Sequence, residues 1–195
     1  EMCIRDRTEA GLCRNTIVRY MKCFKRITNM ALAKEWMRKD PFYGYKMAQD
    51  ETDPVFLTYP ELKSIMEKEF TIPRLALVRD IFVFAAFTGL AFANVSTLTK
   101  DNLVQDNNGD WWIRKGRVKL ERRHRASSVC NIPLLPVPLA ILKKYEEHPI
   151  CRKKSLCLPV ICNQRMNSYL KEIADLCNIR KNLTTHTAKH SKIYI

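Results

Sequence analysis

Three groups of residues in this chain are able to grip or act on a charged substrate. The first is a basic run holding Arg114, Lys115, Arg117, Lys119, Arg122, Arg123 and Arg125 against one acid, Glu121. The second is Arg14, Arg19, Lys22, Lys25 and Arg26. The third is His186-Thr187-Ala188-Lys189-His190 near the C-terminal end. Guanidinium and ammonium groups suit phosphate, Arg as a planar fork and Lys as a point charge. Imidazole exchanges protons near neutral pH. Blander readings stand beside these: a solvated charged strand, a solvated helix face, and a structural histidine.

The composition sharpens the choice without making it. The 195 residues carry 34 Lys and Arg against 20 Asp and Glu, a net charge of +14. Such an excess favours a polyanionic partner through phosphate contact and counterion release. Hydrophobic residues at 46% and charged residues at 28% indicate a folded chain rather than a disordered one. Its length suffices for one ordinary domain plus part of another. No apolar run approaches membrane-spanning length and no signal peptide is visible, so the expected compartment is the cytoplasm. The eight cysteines form no Cys-x-x-Cys pair and read as reduced, buried thiols, with Cys13, Cys23 and Cys177 inside helix-like patterns. The alternative, a zinc site from His148, Cys151, Cys157 and Cys162, fits no standard finger spacing. No metal is expected.

The elements that must position these residues follow from periodicity. Ile17, Tyr20, Met21, Phe24, Ile27 and Ala31 recur at helical steps, predicting an amphipathic helix from about Asn15 to Met37, capped by Asn15 or Thr16. Asp40-Pro41 ends the helical region, and residues 42–54 read as a linker. Thr58-Tyr59-Pro60-Glu61 has capping-box spacing and predicts a helix to about Glu69. Pro73 opens a helix apolar almost all round through Val78, Ile81, Phe82 and Phe84, with Gly89 as its stop. A short helix follows near Ala93 to Leu98. Asp106 to Asp110 is a turn, Trp111 to Val118 a strand, and Val129 to Pro133 a second strand. Trp111 and Trp112 read as a strand core residue and its outward neighbour. Helices close the pattern at about Leu139–Glu147 and Asn163–Cys177. The predicted fold class is mainly α with a small antiparallel β-hairpin or sheet.

One order of motifs is more specific. Phe87-Thr88-Gly89-Leu90 follows the buried helix and precedes Val95-Ser96-Thr97-Leu98-Thr99 and the basic hairpin, and Leu183-Thr184-Thr185-His186-Thr187-Ala188-Lys189-His190 stands near the end. This order resembles the catalytic domain of tyrosine recombinases, above all the integrases of bacterial conjugative transposons. Asn131-Ile132-Pro133-Leu134 and Asn163-Gln164-Arg165-Met166-Asn167 look like the same subgroup. The resemblance runs from about Gly11 to His190. It implies a clamp of two domains: the end of a helical core-binding domain at residues 1–41, a linker at 42–54, and a catalytic domain at 55–195.

The resemblance also implies a site and its chemistry. In such enzymes a tyrosine attacks a DNA phosphodiester and forms a 3′-phosphotyrosyl link, two arginines hold the non-bridging oxygens, and a hairpin lysine protonates the leaving oxygen. No metal or nucleotide cofactor is needed. The expected partners are double-stranded DNA and further recombinase protomers on it. Donors aimed at the developing charge supply on the order of 3 kcal/mol each. Carried over by position, the hairpin lysine matches Lys119, and the His-x-x-Arg motif appears as His186 with Lys189, followed by His190. The expected DNA contacts are Arg14, Arg19, Lys22, Lys25, Arg26, Arg114, Lys115 and Arg117. Two positions depart from the pattern. The arginine expected after Thr-Gly-Leu is Ala91, and Lys189 keeps the charge of the second arginine but not its fork. The nucleophile belongs some thirty residues beyond the motif, whereas Tyr194 follows Lys189 by five residues.

The expectation is therefore a recombinase fragment, truncated at its C-terminus, that binds duplex DNA and does not cleave it. The chain opens on Glu1 rather than Met, and Ser191 to Ile195 stop where a new helix is expected. A non-catalytic DNA-binding module is the second reading. An enzyme of another class using Lys119, His186 and Lys189 is the third. In this fold, helices absent from the sequence are expected to cover Val78–Phe87, which predicts exposed apolar surface there and marginal stability.

Overall fold

The computed structural model describes residues 11–116 and 129–191. The chain divides into two compact units, Glu1–Asp53 and Pro54–Ile195.

The first unit is built on α1, Arg14–Ala33. Its N-cap is Cys13, not Asn15 or Thr16. The Asn15 side chain instead bonds the Asp50 backbone both ways, donating to its carbonyl at 3.0 Å and accepting from its N–H at 2.8 Å. The helix stops four residues before the expected Met37. Glu35 takes a left-handed φ of 60°, and the Trp36 N–H turns back to the Ala31 carbonyl. No glycine signals this stop. Residues 42–53, read as a linker, contribute to the unit: Phe42 packs with Ile17 and Met21, with Met47 alongside. This small core leaves Tyr20, Phe24 and Ile27 largely exposed, although periodicity placed them on the buried face.

The second unit is organised around α3, Pro73–Thr88. It is preceded by α2, Tyr59–Glu67, whose start is fixed as predicted: Glu61 accepts hydrogen bonds from the N–H and hydroxyl of Thr58. Gly89 ends α3 at φ 66°. Then come α4 (Phe92–Val95), a 3₁₀ turn (Lys100–Asn102), and strands β1 (Leu103–Gln105), β2 (Trp111–Gly116) and β3 (Val129–Pro133). Helices α5 (Pro136–Tyr145), α6 (Pro149–Lys154), α7 (Asn163–Leu176) and α8 (Thr185–His190) complete the unit. The sheet is antiparallel in the order β1-β2-β3, with Ile113 opposite Leu103 on one side and Ile132 on the other.

Helices α2, α5, α7 and α8 all pack against α3. Consequently Val78 and the whole run Ile81 to Phe87 are buried. The apolar exposure expected along Val78–Phe87 is not found, because these four helices already enclose the segment. One buried polar residue, Asp80, lies inside it. Its carboxylate accepts from Arg79 Nε at 2.9 Å, Lys144 Nζ at 2.7 Å and the Tyr145 hydroxyl at 2.8 Å. Burial, then Asp80 itself, pushes the Tyr145 hydroxyl well above its usual range, so it stays a neutral donor. This network ties α5 to α3.

The predicted hairpin is a three-stranded sheet; β1 has only three residues and carries no strand pattern. Neither tryptophan is the core residue of β2. Ile113 is fully buried, Trp111 is exposed at the sheet's margin, and Trp112 donates its indole N–H to Asp106.

Candidate functional site

Helix α8 presents its chemistry by its period. Thr187, Ala188 and Ser191 are buried, and His186, Lys189 and His190 lie on the outward face. The helix is pinned at both ends. At its start the Thr184 hydroxyl accepts from the Thr187 N–H. The Thr185 N–H donates to Asn167 at 2.9 Å and its hydroxyl to Asn163 at 2.7 Å, both on α7. At its end Ser191 donates to the Thr187 carbonyl and accepts from the Leu57 N–H at 2.7 Å. The Asn163–Asn167 stretch noted in the sequence thus acts as the bracket that sets the angle of α8.

The two imidazoles meet on this face. His186 Nε2 and His190 Nε2 are 3.3 Å apart. Burial, then the neighbouring His190 and Lys189, hold the His186 pKa below its usual value. The cluster therefore favours a neutral imidazole beside a cation, an arrangement suited to donating hydrogen bonds to an anionic oxygen.

The Thr-Gly-Leu turn is built as its sequence suggests. The Thr88 hydroxyl donates to the Phe84 carbonyl, Gly89 reverses the chain, and Leu90 is buried. Ala91 then caps α4, its carbonyl accepting from the Asn94 and Val95 N–H groups. Phe92 and Val95 of α4 share a small apolar cavity with Thr185 and Ala188 of α8. The turn and α8 are thus neighbours, but the turn offers a methyl group where an arginine is expected.

On β2, Arg114 is exposed, opposite Asn131 of β3. Lys115 lies on the face of Ile113, and its ammonium donates to the Thr97 carbonyl and to Asn102 Oδ1. It pins the sheet to the turn before β1, a contact not visible from sequence because its partners lie more than ten residues away. Arg117 and Lys119, with Glu121 to Arg125, lie outside the described residues, as does Tyr194.

In the first unit, Arg19, Lys22 and Arg26 form one exposed stripe along α1. Lys22 reaches Gln49 at 2.8 Å and Arg14 pairs with Asp50 at 3.4 Å, so both are held in place at the surface. Lys25 is half-buried, at the edge of the face carried by Val18, Met21 and Thr28.

Among the described residues no group of three or more His, Cys, Asp or Glu could hold a metal. Cys151 and Cys157 are buried, and burial pushes the Cys157 thiol up to about 11. Cys13, Cys23 and Cys162 are exposed, contrary to the expectation of buried thiols. The His148 ring caps α6 by accepting from the Ile150 N–H. A groove of about 340 Å³ lies at the sheet, lined by Leu103, Trp111, Leu134 and Leu142 under the Lys100–Glu146 ion pair.

Residues 3–47 match the family model of the phage integrase SAM-like domain. No curated protein sequence matches. Among solved structures, the integrase of the Tn1549 transposon in complex with circular intermediate DNA is 17% identical, with a TM-score of 0.67, covering 96% of this chain and 68% of that one. The XerH site-specific recombinase bound to its difH substrate is 19% identical with a TM-score of 0.53, covering 71% of this chain and 41% of that one. The XerA recombinase is 15% identical with a TM-score of 0.50, covering 96% of this chain and 79% of that one. This chain thus spans about two fifths of the length of XerH. These likenesses establish the tyrosine recombinase fold, mainly helical with a small antiparallel sheet. No helix among the described residues is long and apolar enough to cross a membrane.

Proposed function

We propose that these residues bind duplex DNA as part of a tyrosine recombinase of the conjugative-transposon integrase type, and that they do not by themselves cleave it. The observation that carries the reading is the fold match over 96% of the chain to an integrase held on DNA. Two features of this chain support it: the Arg19–Lys22–Arg26 stripe, and the outward His186–Lys189–His190 face on a helix anchored at both ends.

In this reading the basic stripe and Arg114 contact phosphates, with Arg117 joining them from the hairpin. His186 and His190 donate to the phosphate to be attacked, Lys189 supplies charge beside it, and Lys119 would protonate a leaving oxygen. Two departures speak against turnover. Ala91 offers no donor. Lys189 lacks the bidentate fork that fits two phosphate oxygens. Loss of one such donor costs about 10²-fold or more in rate.

A supercoiled plasmid incubated without added metal, then run on native and denaturing gels, tests both halves. The expected result is a retarded complex with no nicked circle and no covalent protein–DNA adduct. Nicking that disappears on Lys119→Ala would overturn the non-cleaving assignment. Absence of any complex at low salt would overturn the binding.

A further inference from the structure

The two exposed histidines of α8 have the geometry of a chelate. They stand one helical turn apart, with ring centroids 4.5 Å apart and ring planes inclined at 64°. Their Nε2 atoms are 3.3 Å apart. Two imidazole nitrogens bound to one tetrahedral ion at about 2.0–2.1 Å must lie about 3.3–3.4 Å from each other. The observed separation meets that requirement; in the metal-free chain the same approach is a hydrogen bond between the two ring nitrogens, which an ion would replace.

The support beneath the pair is rigid. Thr187 and Ala188 are buried on the opposite face, and Asn163, Asn167 and Leu57 hold the ends of the helix. The backbone positions of the two rings are thereby fixed one turn apart, which favours a chelate over two separate imidazoles. Imidazole is the ligand of choice for borderline divalent transition metals, whereas Mg²⁺ and Ca²⁺ require oxygen donors.

We propose that His186 and His190 form a two-point site for one divalent transition-metal ion of the Co²⁺, Ni²⁺, Cu²⁺ or Zn²⁺ class, with water completing its coordination. Among the described residues no third His, Cys, Asp or Glu joins the pair. The site is therefore open and exchangeable rather than structural, and the adjacent Lys189 ammonium weakens it by repulsion. The metal takes both Nε2 lone pairs, so it competes with protons. The site stands independently of DNA binding, because it forms or fails in the absence of any nucleic acid.

Imidazole NMR of the full chain during a Co²⁺ titration tests it. The chain has four histidines, His124, His148, His186 and His190. The paramagnetic ion is expected to shift or broaden the His186 and His190 ring signals together and first. His190→Ala should weaken binding at His186 by about tenfold or more, since even outer partners of metal ligands contribute that much. An unchanged far-UV spectrum of this variant would show that the loss is not unfolding. The proposal fails if His186→Ala and His190→Ala bind Co²⁺ as the parent does. It also fails if His124 or His148 responds first, or if Co²⁺ is taken up by cysteine thiolates with their characteristic absorption.

Discussion

Two long helices in this chain meet opposite fates. Helix α3 is surrounded by α2, α5, α7 and α8, and every apolar side chain from Ile81 to Phe87 is withdrawn from water. Helix α1 carries a clear apolar stripe in its sequence, where α3 is apolar almost all round, yet of its large apolar side chains only Ile17, Val18 and Met21 are buried. Tyr20 and Phe24 are 49% exposed and Ile27 63%. Apolar periodicity shows that a helix has a face to bury. It does not show how much chain is at hand to bury it. In the Pro54–Ile195 unit the answer is several helices; among the described residues of the Glu1–Asp53 unit it is a short return segment carrying Phe42 and Met47.

The largest test of this contrast is Phe84→Ala in the middle of α3. It should cost about 3–5 kcal/mol, because a fully enclosed site cannot collapse around the void. Denaturant unfolding monitored through the unit's tryptophans, Trp111 and Trp112, measures it. Asp80→Ala should come next, at about 2–3 kcal/mol, since it leaves the buried Tyr145 hydroxyl without its acceptor and Arg79 without its nearest carboxylate. A neutral result would show that the network ornaments the α3–α5 contact rather than holding it. Phe42→Ala should cost only about 1 kcal/mol, read as faster amide exchange in α1, because so few side chains share its core. Replacing Ile27, the most exposed of the three, with Gln should change stability by no more than about 0.5 kcal/mol while reducing binding of a hydrophobic dye. A large loss would mean that this side chain is covered after all.

The smallest effect is electrostatic. His186 has a lowered pKa in the fold, so between that value and the ordinary imidazole value the unfolded chain binds more protons than the folded one. Stability therefore rises with pH through that window and is lost on acidification. NMR titration should place His186 below the usual imidazole range, and His190→Ala should move it back up. An unmoved His186 would deny the coupling between the two rings.

Legibility in the sequence followed the range of the interactions. The start of α2 and the ends of α3 were readable because Thr58, Glu61, Pro73 and Gly89 act within a single turn. Strand β1 and helix α6 were not, because three and six residues carry no period, and α6 buries only Cys151. Asp80 carries a readable signal without a readable partner: a carboxylate inside an apolar helix needs donors, and Lys144 and Tyr145 supply them from α5, more than sixty residues away. At the site, the outward projection of His186, Lys189 and His190 follows from helical spacing alone. From sequence Lys115 is expected among the DNA contacts, and only the folded chain places its ammonium on Thr97 and Asn102.

The central claim is that this chain grips the DNA backbone, and the salt dependence of duplex binding tests it most directly. Fluorescence anisotropy with a labelled duplex, repeated over a range of salt, should give an affinity that falls linearly on logarithmic axes. Each of Arg19→Ala, Lys22→Ala and Arg26→Ala should lower the slope by about 1 if that side chain displaces a counterion. Binding that ignores salt, or slopes unchanged in all three variants, would contradict the account.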